Sequence, residues 1–582
     1  MGNRLLHLLF GSLALAGCAA LCFLLWTYDY ALAYRWVFKT WDVFKYINAG
    51  QWTAPAKQAM AYQDNAGIQR ATAIASVAVA IEFGALLLAG SIIIFQPFRP
   101  RPPVGGARLA RLKDLRKAGF LKGKRGESIL LGRLRGQDIR FTGDSHFFLN
   151  GPSRSGKGRG FVLPNLLEWT GSVIAIDVKA ENWKFTAKAR KALGQEVYFF
   201  APGSAKSHRW NPLDFVRSWP ERATDLQNLA ATLVPLSSNE KNTIWKETAQ
   251  ALCAACLAYV LESPRMEGRR HLRSVYRLFT QEAGFARFCA MVLKEEPRLH
   301  PFILDAFRLH LSKEEEQQTS FEGNITAPMR AWENELVAAA TSGSDFDIRT
   351  LRRKPVSIYI GCAPGNLRSV ETVIRLFIEQ VHSTMLMNLP DKDEPHKLLV
   401  ILEEFYQFPA MREVVDRAPI ALGYYVTFAV IAQNIPQSDE RYTKATREAF
   451  IGNIDVRLFI AVGDGITADV VCESLGKHYA MSQSWGRTVG GRASANARWE
   501  LVPLRTKAQL EGMRQEKELL YVRGVGGIEL DKINFYEDKA MQRRLVAVDK
   551  IALPSLDLEL LAEWPLTAMD APNAAKPLGR QS

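Results

Sequence analysis

Two long apolar runs open the chain, residues 5–26 and 71–95. Each meets the ~20 residues a helix needs to cross a bilayer, so two transmembrane helices are expected. Arg4 precedes the first run, and Arg99, Arg101, Arg108, Arg111, Lys113, Arg116 and Lys117 follow the second. Cations collect on the cytoplasmic flank of a spanning helix. That rule places the amino terminus and the main domains in the cytoplasm and leaves residues 28–70 as a small loop outside a bacterial inner membrane. Trp36, Trp41, Tyr46 and Trp52 of that loop suit the bilayer interface. Glu82 interrupts the second run, and a carboxyl at that depth normally faces other helices; a contact within an oligomer is expected. Leu15-Ala16-Gly17-Cys18 also reads as a lipoprotein cleavage box, but the apolar run continues to Trp26, past what a processed lipoprotein or a signal peptide needs.

Beyond residue 97 the pattern changes to short apolar runs set between helical stretches. Residues 146–149, 172–177, 397–402, 425–432 and 453–462 read as buried strands, and 161–169 as a helix. Strands alternating with helices predict a doubly wound α/β domain. Residues 483–497, rich in Ser, Gly and Arg and without periodicity, are expected to be a mobile loop. Residues 570–582 have little to bury and are expected to be disordered.

Chemistry enters at Gly151-Pro152-Ser153-Arg154-Ser155-Gly156-Lys157-Gly158, a GxxxxGK stretch between a strand and a helix. That context is what a phosphate-binding loop requires. Glycines let backbone N–H groups close around phosphate oxygens, and the helix N-terminus adds positive potential. Lys157 is expected to reach the β and γ phosphates, and the nucleotide-binding stretch extends to Arg159. Gly158 stands where a magnesium-binding Ser or Thr is usual, which weakens the case for hydrolysis more than for binding. The run 397–402 ends in Glu403-Glu404, the Walker B arrangement. Glu403 is assigned to the magnesium shell and Glu404 to polarising the attacking water. Gln433 ends the strand 425–432, where it can touch the γ-phosphate or cap a loop.

These residues resemble the coupling proteins of type IV secretion systems, the TraG/TrwB-like family of hexameric ATPases. The resemblance rests on Gly106-Ala107-Arg108-Leu109-Ala110, the loop with Pro164-Asn165, Ala175-Ile176-Asp177-Val178-Lys179-Ala180-Glu181-Asn182-Trp183 and Asn211-Pro212-Leu213. Farther on it rests on Gly361 to Pro364, Leu402 to Phe405, Ala432-Gln433-Asn434, Thr467-Ala468 and Leu475-Gly476-Lys477. Glu403 departs from the family's usual Asp. The resemblance implies a RecA-like P-loop ATPase domain with an inserted all-helical domain, using ATP and Mg2+, in a homo-hexamer around a channel. Its implied partners are the secretion apparatus and either a relaxase–DNA complex or protein effectors. It divides the chain into a membrane anchor (1–97), the nucleotide-binding domain (98–218 and 343–555), the helical insertion (219–342) and a C-terminal tail (556–582). A trans arginine is expected of such hexamers, with Arg441 and Arg457 as candidates.

Composition changes this picture little. The formal charge of +14 suits a polyanion such as nucleic acid, or an acidic membrane surface. Cys253 and Cys256 form a CxxC inside an apolar helical stretch with no second pair at metal spacing, so buried thiols are expected. Two other readings remain open on sequence alone. One is a nucleotide-binding substrate receptor with little hydrolysis. The other is an FtsK-like DNA translocase, although such pumps usually carry more spans and a winged helix.

Overall fold

The computed structural model describes the backbone of residues 2–95, 105–236, 243–408, 410–487, 493–545 and 551–558. Within them it describes all side chains but those of 2–16, 92–95, 413, 438, 440, 441, 483–487 and 493–497. The chain forms two compact units, Met1–Pro102 and Pro103–Ser582.

The first unit is helical. A helix over Gly2–Phe38 is followed by short helices Asp42–Asn48 and Ala54–Ala61 and a long helix Ala66–Phe95. Residues 28–70 are therefore largely helical, not a simple loop. The reason is a small core of their own: Tyr30, Ala31 and Ala33 bury against Val43, Ile47, Ala59, Ile68, Ala71 and Ala75. Trp26 Nε1 donates to Ser76 Oγ at 3.1 Å and ties the two long helices together. Among the described residues one helix, Ala66–Ser91, is long and apolar enough to cross a membrane. The side chains of residues 5–16, over half of the first expected span, lie outside those described. Glu82 is exposed on its helix, and nothing among the described residues covers it.

The second unit is built on an eleven-stranded sheet. Its strands are β1 (Ile129–Leu134), β2 (Gln137–Phe141), β3 (Phe147–Asn150), β4 (Ser172–Asp177), β5 (Glu196–Phe200), β6 (Val356–Gly361), β7 (Leu398–Leu402), β8 (Val426–Ala432) and β9 (Val456–Phe459), then, beyond a separate ribbon of β10 (Lys477–Arg487) and β11 (Ala493–Pro503), β12 (Lys517–Val522) and β13 (Gly526–Asp531). The order is β2-β1-β13-β12-β9-β3-β8-β7-β4-β6-β5. From β9 to β5 every pairing is parallel, and from β9 to β2 every pairing is antiparallel. β3, β4, β6 and β7 are buried along their whole length, as strands covered on both faces must be.

Between β5 and β6 the chain is helical, with its longest helix at Ile244–Glu262. Cys253 and Cys256 lie fully buried there as free thiols, and burial pushes Cys253 up to about 12. The expected loop over 483–497 is instead largely ribbon. β10 pairs with β11 from Lys477↔Pro503 to Arg487↔Ala493, and residues 488–492 lie outside those described. This pairing leaves no apolar alternation in the sequence because the ribbon stands apart from the main sheet. Leu556 N donates to Ala205 O at 2.8 Å, so the chain stays docked just past 555; residues 559–582, the expected disordered stretch included, lie outside those described.

Candidate nucleotide site

In a parallel sheet, ligands bind beyond the carboxyl ends of the strands. β3, β4, β7 and β8 run side by side in one direction, so Asn150, Asp177, Leu402 and Ala432 end at one edge. Past β3 the chain turns through residues 151–157 into a π-helical turn, Gly158–Val162, and a helix, Leu163–Glu168. Gly151 N donates to Ala432 O at 3.1 Å, anchoring the start of the loop to β8. Arg154 has φ 65 and Gly156 φ 103. The left-handed turn at Gly156 is free of strain only for glycine. Asn165 bonds Leu130 N and O through its amide at 2.8 and 2.9 Å, clamping the helix to β1.

Lys157 Nζ donates to Gly151 O at 2.5 Å and to Pro152 O at 3.2 Å. Its ammonium is thus folded over its own loop, with burial lowering its pKa against the pull of Glu404 and Glu403. Ser155 Oγ is buried without a partner. A loop that holds a cation by its carbonyls and keeps a hydroxyl unpaired fits a phosphate group, whose oxygens can accept from both. Pro152 is half-buried, and Ser153, Arg154 and Arg159 are exposed.

The two acids end β7. Glu404 takes a left-handed conformation, φ 55, which turns its carboxylate toward β8. Its Oε2 accepts from Gln433 Nε2 at 2.7 Å and from Gln407 Nε2 at 2.9 Å. Gln433 Oε1 in turn accepts from Ser153 Oγ at 3.3 Å. One chain of hydrogen bonds therefore joins the glycine-rich loop, the end of β8 and the end of β7. Glu403 points elsewhere. Burial, then Asp177 and Glu404, push its carboxyl up to about 8, while a hydrogen bond from Asn182 opposes this.

Asp177, at the end of β4, was not singled out from sequence as a site residue. It is 2% exposed and accepts Trp183 N at 2.7 Å. Burial raises it to about 6, against backbone hydrogen bonds from Trp183, Asn182 and Glu181 at a helix start. Ala180, at φ 54, makes the turn that brings those N–H groups back. The available signal was a second apolar strand ending in an acid, as in β7. Of the arginine candidates, Arg457 is engaged within its own chain: Nε donates to Ile454 O at 3.1 Å and Nη1 to Ser474 Oγ at 3.2 Å. The side chain of Arg441 lies outside those described.

For the metal, no group of three His, Cys, Asp or Glu at ligating distance occurs among the described residues. Magnesium brought here on nucleotide phosphates would find the carboxyls of Glu403, Asp177 and Glu404 close to one another. A Cβ built on Gly158 meets nothing within 4 Å. Gly158→Thr should therefore fold and bind ATP, and should lower the magnesium concentration for half-maximal turnover by roughly twofold to tenfold through the added hydroxyl ligand. A magnesium requirement unchanged in a folded Gly158→Thr protein would show that the loop does not face the metal.

The buried acids also set a pH dependence. Glu403 and Glu518 are both raised from 4.5 to about 8, chiefly by burial. The folded state keeps protons that the unfolded state has released, so stability falls as pH rises toward 8. Buried His146, lowered to about 4, is neutral in both states above pH ~7 and adds nothing there. The urea midpoint should drop from pH 7 to 8.5, and Glu518→Gln should flatten the drop. A midpoint that rises over this range contradicts the buried protons.

Comparison with known proteins fits this geometry. Residues 108–554 match the family model described as type IV secretory system conjugative DNA transfer. Protein VirD4 of Agrobacterium fabrum is 29% identical over 502 residues, 84% of this chain and 73% of that protein. Conjugal transfer protein TraG of Escherichia coli is 27% identical over 380 residues, 58% of this chain and 59% of that protein. Among solved structures, the unbound bacterial conjugative coupling protein TrwBdeltaN70 superposes with a TM-score of 0.57 at 14% identity, over 75% of this chain and 95% of that one. TrwB in complex with the ATP analogue ADPNP gives 0.57 at 13% identity, over 78% and 98%. With the family model covering most of its length and the same α/β fold in those structures, the chain belongs to the type IV secretory system conjugative DNA transfer family, the coupling proteins.

Proposed function

We propose that the protein is an inner-membrane ATPase that takes substrate to a type IV secretion or conjugation apparatus and drives its transfer with ATP. The observation that carries this reading is the bonded series Ser153–Gln433–Glu404, which joins the phosphate loop to the second of the two acids at the end of β7. The solved coupling protein TrwB has been seen with ADP and Mg2+ and with an ATP analogue; ATP and Mg2+ are the ligands proposed here.

Residues 151–159 cradle the phosphates with backbone N–H groups. Lys157 leaves the Gly151 and Pro152 carbonyls and sits against the β and γ phosphates. Magnesium bound with the nucleotide neutralises phosphate charge. Glu403, once ionised with its proton released to solvent, would hold a water of the magnesium shell. Glu404, held between Gln433 and Gln407, orients and deprotonates the attacking water. Gln433 reports the γ-phosphate to Ser153 through the bond it already makes. The domain division proposed is an anchor over 1–97, an ATPase domain over 98–218 and 343–555, a helical insertion over 219–342 and a tail over 556–582. The subunits form a homo-hexamer at the membrane, anchored by two spans, with a trans arginine completing each site. Partners are the secretion apparatus and a relaxase–DNA complex or protein effectors.

Steady-state phosphate release by the purified protein, with and without DNA, tests the motor against a nucleotide-binding receptor. Release stimulated by DNA supports the motor; ATP binding without release supports the receptor. Residues 98–582 alone should bind DNA with little sequence preference. Affinity should fall by orders of magnitude between 50 and 200 mM salt as phosphate contacts release counterions. The same fragment should associate only weakly, because both anchor helices are gone. No DNA affinity at low salt favours protein cargo, and tight hexamers from the fragment remove the anchor's role in assembly.

A further inference from the structure

The chain returns to the phosphate loop from its far end. After β13, Lys532 Nζ donates to Ser155 O at 3.1 Å. Phe535 N then donates to Arg159 O at 3.2 Å, and Ile533 O lies where a Cβ on Gly160 would approach to 3.2 Å. Residues 532–535 thus run along the loop and its following turn, touching it at 155, 159 and 160. The strap is itself held. Ile533 and Phe535 are buried beneath it, at 2% and 0% exposure. Lys532 N donates to Glu516 O at 2.8 Å, and Gln542 Nε2 donates to Phe535 O at 2.8 Å. Asp538 takes Arg133 of β1 in an ion pair at 2.5 Å.

Lys532 faces a mixed environment. Half-burial lowers its pKa, Glu518 and Glu516 pull it up, and Arg159 pushes it down. Its Nζ stands beside Ser155, whose Oγ has no partner among the described residues and whose carbonyl Lys532 occupies. A cation fixing one carbonyl of a phosphate loop orients the peptide that follows, so that the next N–H, at Gly156, is turned the opposite way, into the loop. Charge-assisted hydrogen bonds to backbone are the ones strong enough to hold such a turn in the absence of ligand.

We propose that Lys532 is a positioning residue of the nucleotide site, presetting the phosphate loop through Ser155 O from the strap 532–535. This rests on the reading of residues 151–158 as a nucleotide site. On that reading Lys157, and not Lys532, is the residue that meets the phosphates. A preset loop gives tighter binding because less order is created on binding.

The test measures ATP affinity of the full-length protein in detergent by fluorescence of a labelled ATP analogue. The variants are Lys532→Met, Lys532→Arg, Gly160→Ala and Lys157→Ala. Lys532→Met should weaken nucleotide roughly tenfold, as for one lost hydrogen bond from a charged group. Lys532→Arg should recover most of that, which a purely packing role for the side chain would not give. Gly160→Ala, which presses the loop against Ile533 O without touching Lys532, should weaken binding by a smaller factor and keeps the test open if Lys532→Met does not fold. Wild-type affinity in Lys532→Met, with Lys157→Ala defective, overturns the proposal and leaves the nucleotide site standing. Lys532→Arg as weak as Lys532→Met overturns it too. Wild-type affinity in both Lys157→Ala and Lys532→Met overturns the nucleotide site itself.

Discussion

Lys157→Ala should reduce transfer to background while the protein stays in the membrane fraction. Lys157 is hydrogen-bonded to its own loop, on Gly151 O and Pro152 O. The helix Ala66–Ser91, the one among the described residues long and apolar enough to cross a membrane, lies before Pro103, in the other compact unit. Removing a donor aimed at charge that develops in the transition state commonly costs ~10²–10³-fold in turnover. A mating assay beside membrane fractionation reads both halves of the expectation. Transfer at the wild-type level removes the phosphate-loop assignment.

Glu404→Gln should bind ATP normally and hydrolyse it ~10²–10⁴-fold more slowly, the usual cost of losing a general base. Binding survives because the amide oxygen can still accept from Gln433 Nε2 and Gln407 Nε2, both of which now converge on Glu404 Oε2. The variant should trap ATP on a filter without releasing phosphate. Turnover at the wild-type rate moves the base to Glu403 or beyond.

The strands that carry this site were legible because both faces of each are covered, so they appear as unbroken apolar runs ending in Asn150, Glu403 and Gln433. The antiparallel side of the sheet was not. β1, β2, β12 and β13 mix apolar with charged residues, as in Gln137–Phe141 and Lys517–Val522, and their partners are over 350 residues apart in sequence where β1 meets β13. Lys532 follows from that pairing and was invisible for the same reason. Asp177 was visible as a strand end, but its place beside Glu403 depends on β4 lying next to β7, which no local pattern encodes. The first helix runs to Phe38, past the apolar run that ends at Trp26, because Tyr28, Asp29 and Arg35 break the run without breaking the helix; Tyr30 and Ala31 pack in the small core there.

The helices between β5 and β6 share one continuous core with the sheet. Phe148 and Ile174 of the strands belong to the same buried cluster as Leu252, Tyr259 and Trp332 of the helices. Two bodies joined by a hinge would each have closed their own core. Here a load applied to the helices passes through that shared core to the sheet, whose strands β3 and β4 end in the phosphate loop and Asp177. Helices and sheet therefore behave as one welded bracket, not as a trailer on a hitch, and heat should melt both in a single transition.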